Sequence, residues 1–223
     1  CLDRQRNYTF EEFRMWSAID AVNREHRMQG QLSPTAEYGF HQIMLSNPAG
    51  FTDDFSEYSG YDQQIIFHEY FHVVQRSASP SAVDIENNPV IKKKFFGPRW
   101  FSEGSAEFMS FRAVSDLRLR GELPLYEGQL DDFNFHDEMV ERLDAAKASM
   151  LRYKNLTFKD AQPYDAKLSP YDIGPWAIAY LVHKTTPNVL LDTFYPNIAE
   201  LGWVKTFELS FGMSPAEFEK EFM

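Results

Sequence analysis

The sequence predicts an α+β fold that is predominantly helical, with a small sheet and a helical C-terminal lobe. Three observations carry this. Two heavily apolar runs, residues 62–76 and 100–120, repeat at the helical period. One short segment, 37–45, alternates instead, as a strand does. The 223 residues are 43% hydrophobic and include 20 Phe, 11 Tyr and 4 Trp, enough to bury a sizeable core. The length fits one domain over 1–223. Within it, about 1–120 would hold the sheet and the two apolar helices, and about 121–223 the helical lobe.

The elements follow in order. Thr9 can cap a helix from Phe10 to about His26, in which Phe10, Phe13, Trp16, Ile19 and Val22 share a face. The strand candidate runs from Glu37 to Leu45, where Tyr38 and Phe40 alternate with Gly39 and His41. Asn47, Pro48 and Gly50 close it, and a polar loop follows. From Asp62 to Arg76, Ile65, Ile66, Phe67, Tyr70, Phe71, Val73 and Val74 mark an apolar helix. Ser77 to Pro98 holds Pro80, Pro89 and Pro98 and reads as a long irregular connection. A second apolar helix spans about Trp100 to Arg120, and a more exposed one Asp132 to Arg152. Helices from about Ile173 to Lys184, Pro187 to Phe194 and Pro215 to Phe222 complete the chain. Ser214 can cap the last, with Glu217 completing a capping box.

The formal net charge is −11. That argues against a nucleic-acid partner, which must be met with Lys and Arg, and against an anionic membrane surface. The basic run Lys92, Lys93, Lys94 and Arg99 reads as a solvated loop. No stretch is apolar for the roughly 18 residues a membrane span needs. The single cysteine, Cys1, rules out a disulfide within the chain. A leading cysteine resembles the mature end of a bacterial lipoprotein. The expectation is therefore a lipid anchor at Cys1 and an extracytoplasmic location, against a chain start that merely falls on cysteine.

The chemistry concentrates in two runs. His68-Glu69-Tyr70-Phe71-His72 is H-E-x-x-H inside the stronger apolar helix. Residues four apart share a helix face, so both imidazoles can reach one ion. Glu69 then stands beside a water on that ion without being a ligand, as a general base would. Two His and a Glu among apolar neighbours are costly to bury unless paired or ligated. Catalytic zinc usually takes three protein ligands. The third would come from Trp100-Phe101-Ser102-Glu103-Gly104-Ser105-Ala106-Glu107-Phe108. Glu103 would be that ligand. Glu107, one turn on, could accept the outer N–H of a ligand His. Gly104 costs a helix about 1 kcal/mol against Ala, and close approach of another element would explain it. His26, His41, His136 and His183 stand singly and read as surface or packed histidines.

H-E-Y-F-H followed by W-F-S-E-G-S-A-E-F resembles the gluzincin metallopeptidases, the relatives of thermolysin and the zinc aminopeptidases. The resemblance spans about residues 36–223, though its specific parts are three short motifs. It implies a zincin-like domain with one Zn²⁺ on His68, His72 and Glu103, with Glu69 as base in peptide-bond hydrolysis. It also implies that Tyr171, which opens Tyr171-Asp172-Ile173-Gly174, stabilises the oxyanion as the Tyr of a Tyr-x-x-Gly pattern does in the aminopeptidase branch. The terminal run from Phe211 to Glu219 is similar to the closing helix of such domains. The Gly-x-Met-x-Asn signature of amine recognition is absent, and the interval from His72 to Glu103 is longer than in the best-known members. A peptide or protein substrate could pair with the edge of the strand near Tyr38 to Leu45. The rival readings are a zinc hydrolase of non-peptide amides or esters, and an inactive zincin-fold binding module.

Overall fold

In the computed structural model the helix Arg99–Leu119 packs against the helices Gly60–Ser77 and Pro170–Lys184 and centres the described core. The structure describes residues 29–35, 40–46, 60–79, 88–123, 133–162 and 167–223, the first two segments as backbone only. The helix expected from Phe10 to His26, and Cys1, lie outside these residues. The helices are α1 (Gly60–Ser77), α2 (Pro89–Phe96), α3 (Arg99–Leu119), α4 (Phe135–Arg152), α5 (Pro170–Lys184), α6 (Tyr195–Phe211) and α7 (Pro215–Phe222). A short 3₁₀ turn, Phe158–Asp160, leads toward α5.

The α+β expectation is corrected: the described residues are predominantly helical. Among the described residues from Gly60 onward, every named element is a helix. Among the described residues the one ladder is an antiparallel hairpin of β1 (Gln29–Thr35) and β2 (Phe40–Ser46), running from the Gln29–Ser46 pair to the Thr35–Phe40 pair. Two strands cannot form a layer that buries a face of its own. Among residues whose side chains are described, the core comes from the helices and their connections.

α3 is central because it is buried nearly all round. Trp100, Phe101, Gly104, Ala106, Phe108, Phe111 and Val114 are buried, and so are Glu103, Ser105, Glu107 and Ser110. An apolar face of that width needs partners on several sides. α1 covers one side and α5 another, with α4 also against α5. The C-terminal elements close the remainder with aromatic rings. Trp100 stacks on Phe158 at 4.2 Å, Phe101 lies 4.7 Å from Phe194, and Phe207 meets Phe211 edge-on at 4.7 Å. Phe101, Phe111, Phe194, Phe207 and Phe218 are fully buried.

Two segments differ from the sequence reading. Pro89–Phe96, expected as irregular chain, is a two-turn helix. Its proline sits in the first turn, where a missing N–H is harmless, and Asn88 caps the exposed amides of Val90 and Ile91. Residues 195–211, which no expectation covered, form α6. Pro196 again lies in the first turn, and Gly202 at φ 75° puts a left-handed kink into the helix. α7 begins with the capping box of Ser214 and Glu217: the Ser214 amide donates to Glu217 at 2.7 Å, and the Glu217 amide to Ser214 Oγ at 3.2 Å.

Candidate metal centre

α1 and α3 face each other through polar side chains in an otherwise apolar interior. On α1 these are Gln64, His68, His72 and Gln75, spaced to share one face. On α3 they are Ser110, Glu107, Glu103 and Ser102, met in descending order, so the two helices are antiparallel. Gln64 Nε2 donates to Glu107 Oε2 at 2.7 Å and to Ser110 Oγ at 2.8 Å. His68 Nδ1 donates to Glu107 Oε2 at 2.7 Å. His72 Nε2 lies 3.1 Å from Glu103 Oε2, and Gln75 Nε2 donates to the Ser102 carbonyl at 2.9 Å and to Ser105 Oγ at 2.9 Å. Glu103, Glu107 and His68 are only 4%, 5% and 7% exposed, so their charges must be met inside the protein.

Three atoms converge where the two stripes meet. His68 Nε2 and His72 Nε2 are 3.1 Å apart, and Glu103 Oε2 is 3.1 Å from His72 Nε2 and 3.5 Å from His68 Nε2. A tetrahedral zinc about 2.0–2.1 Å from nitrogen and oxygen ligands holds those ligands about 3.3–3.5 Å apart. His68, His72 and Glu103 could therefore hold a metal ion.

The donor set points the same way. His68 Nδ1 faces a carboxylate, so it carries its hydrogen. His72 Nδ1 lies 2.8 Å from Gln75 Oε1, and Gln75's amide nitrogen is committed to the Ser102 carbonyl, an acceptor only. That fixes Gln75's oxygen toward His72, and His72 Nδ1 carries its hydrogen as well. Both neutral imidazoles then aim an Nε2 lone pair at the same place as a carboxylate oxygen. Three acceptors converging in the interior repel one another unless a cation lies between them. In the ion's absence a proton takes that part. Burial opposes charge on His68, but hydrogen bonds and charge from Glu103 and Glu107 outweigh it and raise its pKa to about 10. Burial likewise opposes the Glu103 carboxylate, yet His68 and His72 hold it far below the ordinary carboxylate range. Burial opposes the Glu107 carboxylate too, and His68, Arg142 and Gln64 outweigh it and lower its pKa.

Each candidate ligand has an outer partner. Glu107 orients His68 and Gln75 orients His72. Arg99 Nη1 donates to Glu103 Oε1 at 2.6 Å, which leaves Oε2 to face the imidazoles. Gln75 is held in turn through Ser105, whose Oγ is 3.1 Å from the Tyr195 hydroxyl. The sequence reading named Glu107 but missed Gln64, Gln75 and Arg142, and its solvated loop of Lys92, Lys93, Lys94 and Arg99 is corrected: the lysines lie in α2, and Arg99 opens α3 and bonds Glu103. Gln75 follows His72 by three residues on the same face, a signal that helical spacing could have supplied.

Gly104 explains how the later helix reaches the site. A Cβ there would lie 2.5 Å from the Gly174 Cα and 2.4 Å from its carbonyl carbon. α3 and α5 thus cross glycine on glycine, closer than any side chain allows. The crossing draws in the first turn of α5, where Ser169 Oγ caps the Tyr171 amide at 3.2 Å. The Tyr171 ring stands 6.1 Å from the His68 ring. Glu69, next to His68 on α1, is buried. No helix among the described residues is long and apolar enough to cross a membrane.

Fold and site together define a predominantly helical protein with a two-His, one-Glu cradle between antiparallel helices. Compared with protein-family models, curated proteins and solved structures, the chain has no match.

Proposed function

We propose that this chain is a zinc-dependent hydrolase of peptide bonds, built on gluzincin lines. The observation that supports it is the convergence of two imidazole lone pairs and one carboxylate oxygen, each with its outer atom already tied. Nitrogen and oxygen ligands in a three-sided set favour zinc over magnesium or calcium, which prefer six or more oxygens. Zinc, when bound, supplies a water of lowered pKa and a Lewis acid for the carbonyl.

The chain's own groups supply the rest. His68, His72 and Glu103 hold the ion, and Glu107, Gln75 and Arg99 keep those three in orientation. Glu69 stands next to His68 on a buried face, takes a proton as general base and returns it to the leaving amine. Tyr171 offers a phenol as the second donor to the developing oxyanion. The substrate is a peptide or protein, and the net charge of −11 speaks against nucleic acid.

The test pairs metal analysis with cleavage of a peptide library read by mass spectrometry. Glu69→Gln should keep its zinc and lose about 10²–10⁴-fold in hydrolysis. Loss of zinc in that variant would make Glu69 a ligand instead. Full cleavage by it would remove Glu69 from the mechanism. A wild-type chain that cleaves esters or non-peptide amides but no peptide would replace the substrate class.

A further inference from the structure

Arg142 lies on α4, which contributes no ligand, yet its guanidinium enters the metal centre from behind. Nη2 is 3.1 Å from Glu107 Oε1, and Nη1 is 3.5 Å from Asp172 Oδ1. The side chain is 16% exposed, and its guanidinium carbon sits 5.8 Å from the Phe111 ring centroid. Glu107 thus spends one oxygen on Arg142 and the other on His68 and Gln64. Asp172 is the residue after Tyr171, in the first turn of α5.

We propose that Arg142 is a positioning residue of the metal centre, holding the Glu107 carboxylate in the charge and orientation that fix His68 and tying it to the helix turn that bears Tyr171. The inference rests on the metal-centre reading above. Glu107 is buried with its charge next to His68, and Arg142 is the cation that answers it from the side away from the ion. Without it, Glu107 and Asp172 would face each other as two poorly solvated carboxylates. Repulsion would then turn Glu107 away from His68 Nδ1, and His68 would lose the bond that sets its tautomer. A planar fork can reach two carboxylates at once, whereas a lysine reaches one. The junction of α4 with the core has other supports. Trp176 Nε1 donates to the Met139 carbonyl at 2.6 Å, and Met139 and Ala146 are buried. The fold therefore does not hang on the guanidinium alone.

The experiment measures zinc affinity of the full chain by competition with a chromophoric chelator, alongside thermal melts. Arg142→Gln should bind zinc about 10- to 100-fold more weakly while melting cooperatively. Arg142→Lys, which keeps the charge but reaches one carboxylate instead of two, should recover only part of that loss. In the Glu107→Gln background, Arg142→Gln should cost nothing more, because the charge it serves is gone. Equal affinity of wild type and a folded Arg142→Gln overturns the proposal. So does a further tenfold loss in the double variant, which would mark a structural effect independent of Glu107. Should Arg142→Gln not fold alone, Glu107→Gln is compared with the double variant, and equal affinities support the proposal while an added loss overturns it. A wild-type chain that takes up no zinc ends the metal reading itself, a distinct outcome from wild type binding zinc with Arg142→Gln unchanged.

Discussion

The two long faces of α3 are both buried, and they are built on opposite principles. Toward α1 the helix presents Ser102, Glu103, Glu107 and Ser110, each bonded across to a named polar partner. Toward α5 and the C-terminal elements it presents Trp100, Phe101 and a bare glycine backbone. The aromatic face is what any helix does to gain stability: each fully buried Phe contributes roughly 1.5–3 kcal/mol. The polar face does the reverse. Burying two carboxylates and two imidazoles between helices is at best neutral against well-packed apolar residues. That stripe brings two imidazole nitrogens and one carboxylate oxygen together, and the three could hold a metal ion.

The comparison can be broken by variants on either side, taken from the largest expected effect. Tyr171→Phe removes the phenol proposed above as the oxyanion donor, in the first turn of the helix that the glycine crossing draws in. It should lower kcat about 100- to 1000-fold with zinc content and KM little changed. An unchanged kcat in steady-state assays would leave the oxyanion donor unidentified. Gly104→Ala acts on the aromatic side. Alanine would gain up to about 1 kcal/mol in helix propensity. Its methyl, however, meets the Gly174 backbone at 2.4–2.5 Å, and backbone cannot swing aside. A net loss of roughly 1–3 kcal/mol is expected in denaturant unfolding of the metal-free protein. A gain in stability would show that the helices cross less closely. Glu107→Ala acts on the polar side alone: zinc affinity should fall about 10- to 100-fold with the fold left standing. If the variant loses stability but, still folded, binds zinc as tightly as wild type, the two faces have been assigned the wrong way round.

The sequence displayed the site more clearly than its surroundings. H-E-x-x-H and the Glu103–Glu107 pair are local patterns, and helical spacing alone puts each pair on one face. Gly104 was legible as a close approach, though not its partner, since Gly174 lies seventy positions on and no local pattern links the two. Arg142 and Gln75 were hidden for a similar reason: a single polar residue in a helix looks solvated until its neighbour across the interface is known. Pro89 read as part of an irregular connection because proline disfavours helix interiors, yet it stands in a first turn where it fits. The small sheet expected around Tyr38 to Leu45 followed from two-residue alternation, a pattern too short to say whether a strand has partners enough to form a layer.

The central claim is that the polar face of α3 and its counterpart on α1 exist to hold one metal ion. Elemental analysis of the purified chain after exhaustive dialysis, repeated on Glu103→Ala, tests it most directly. The account predicts about one zinc per wild-type chain and close to none in the variant. Wild-type protein without zinc, or Glu103→Ala retaining a full equivalent, would contradict it.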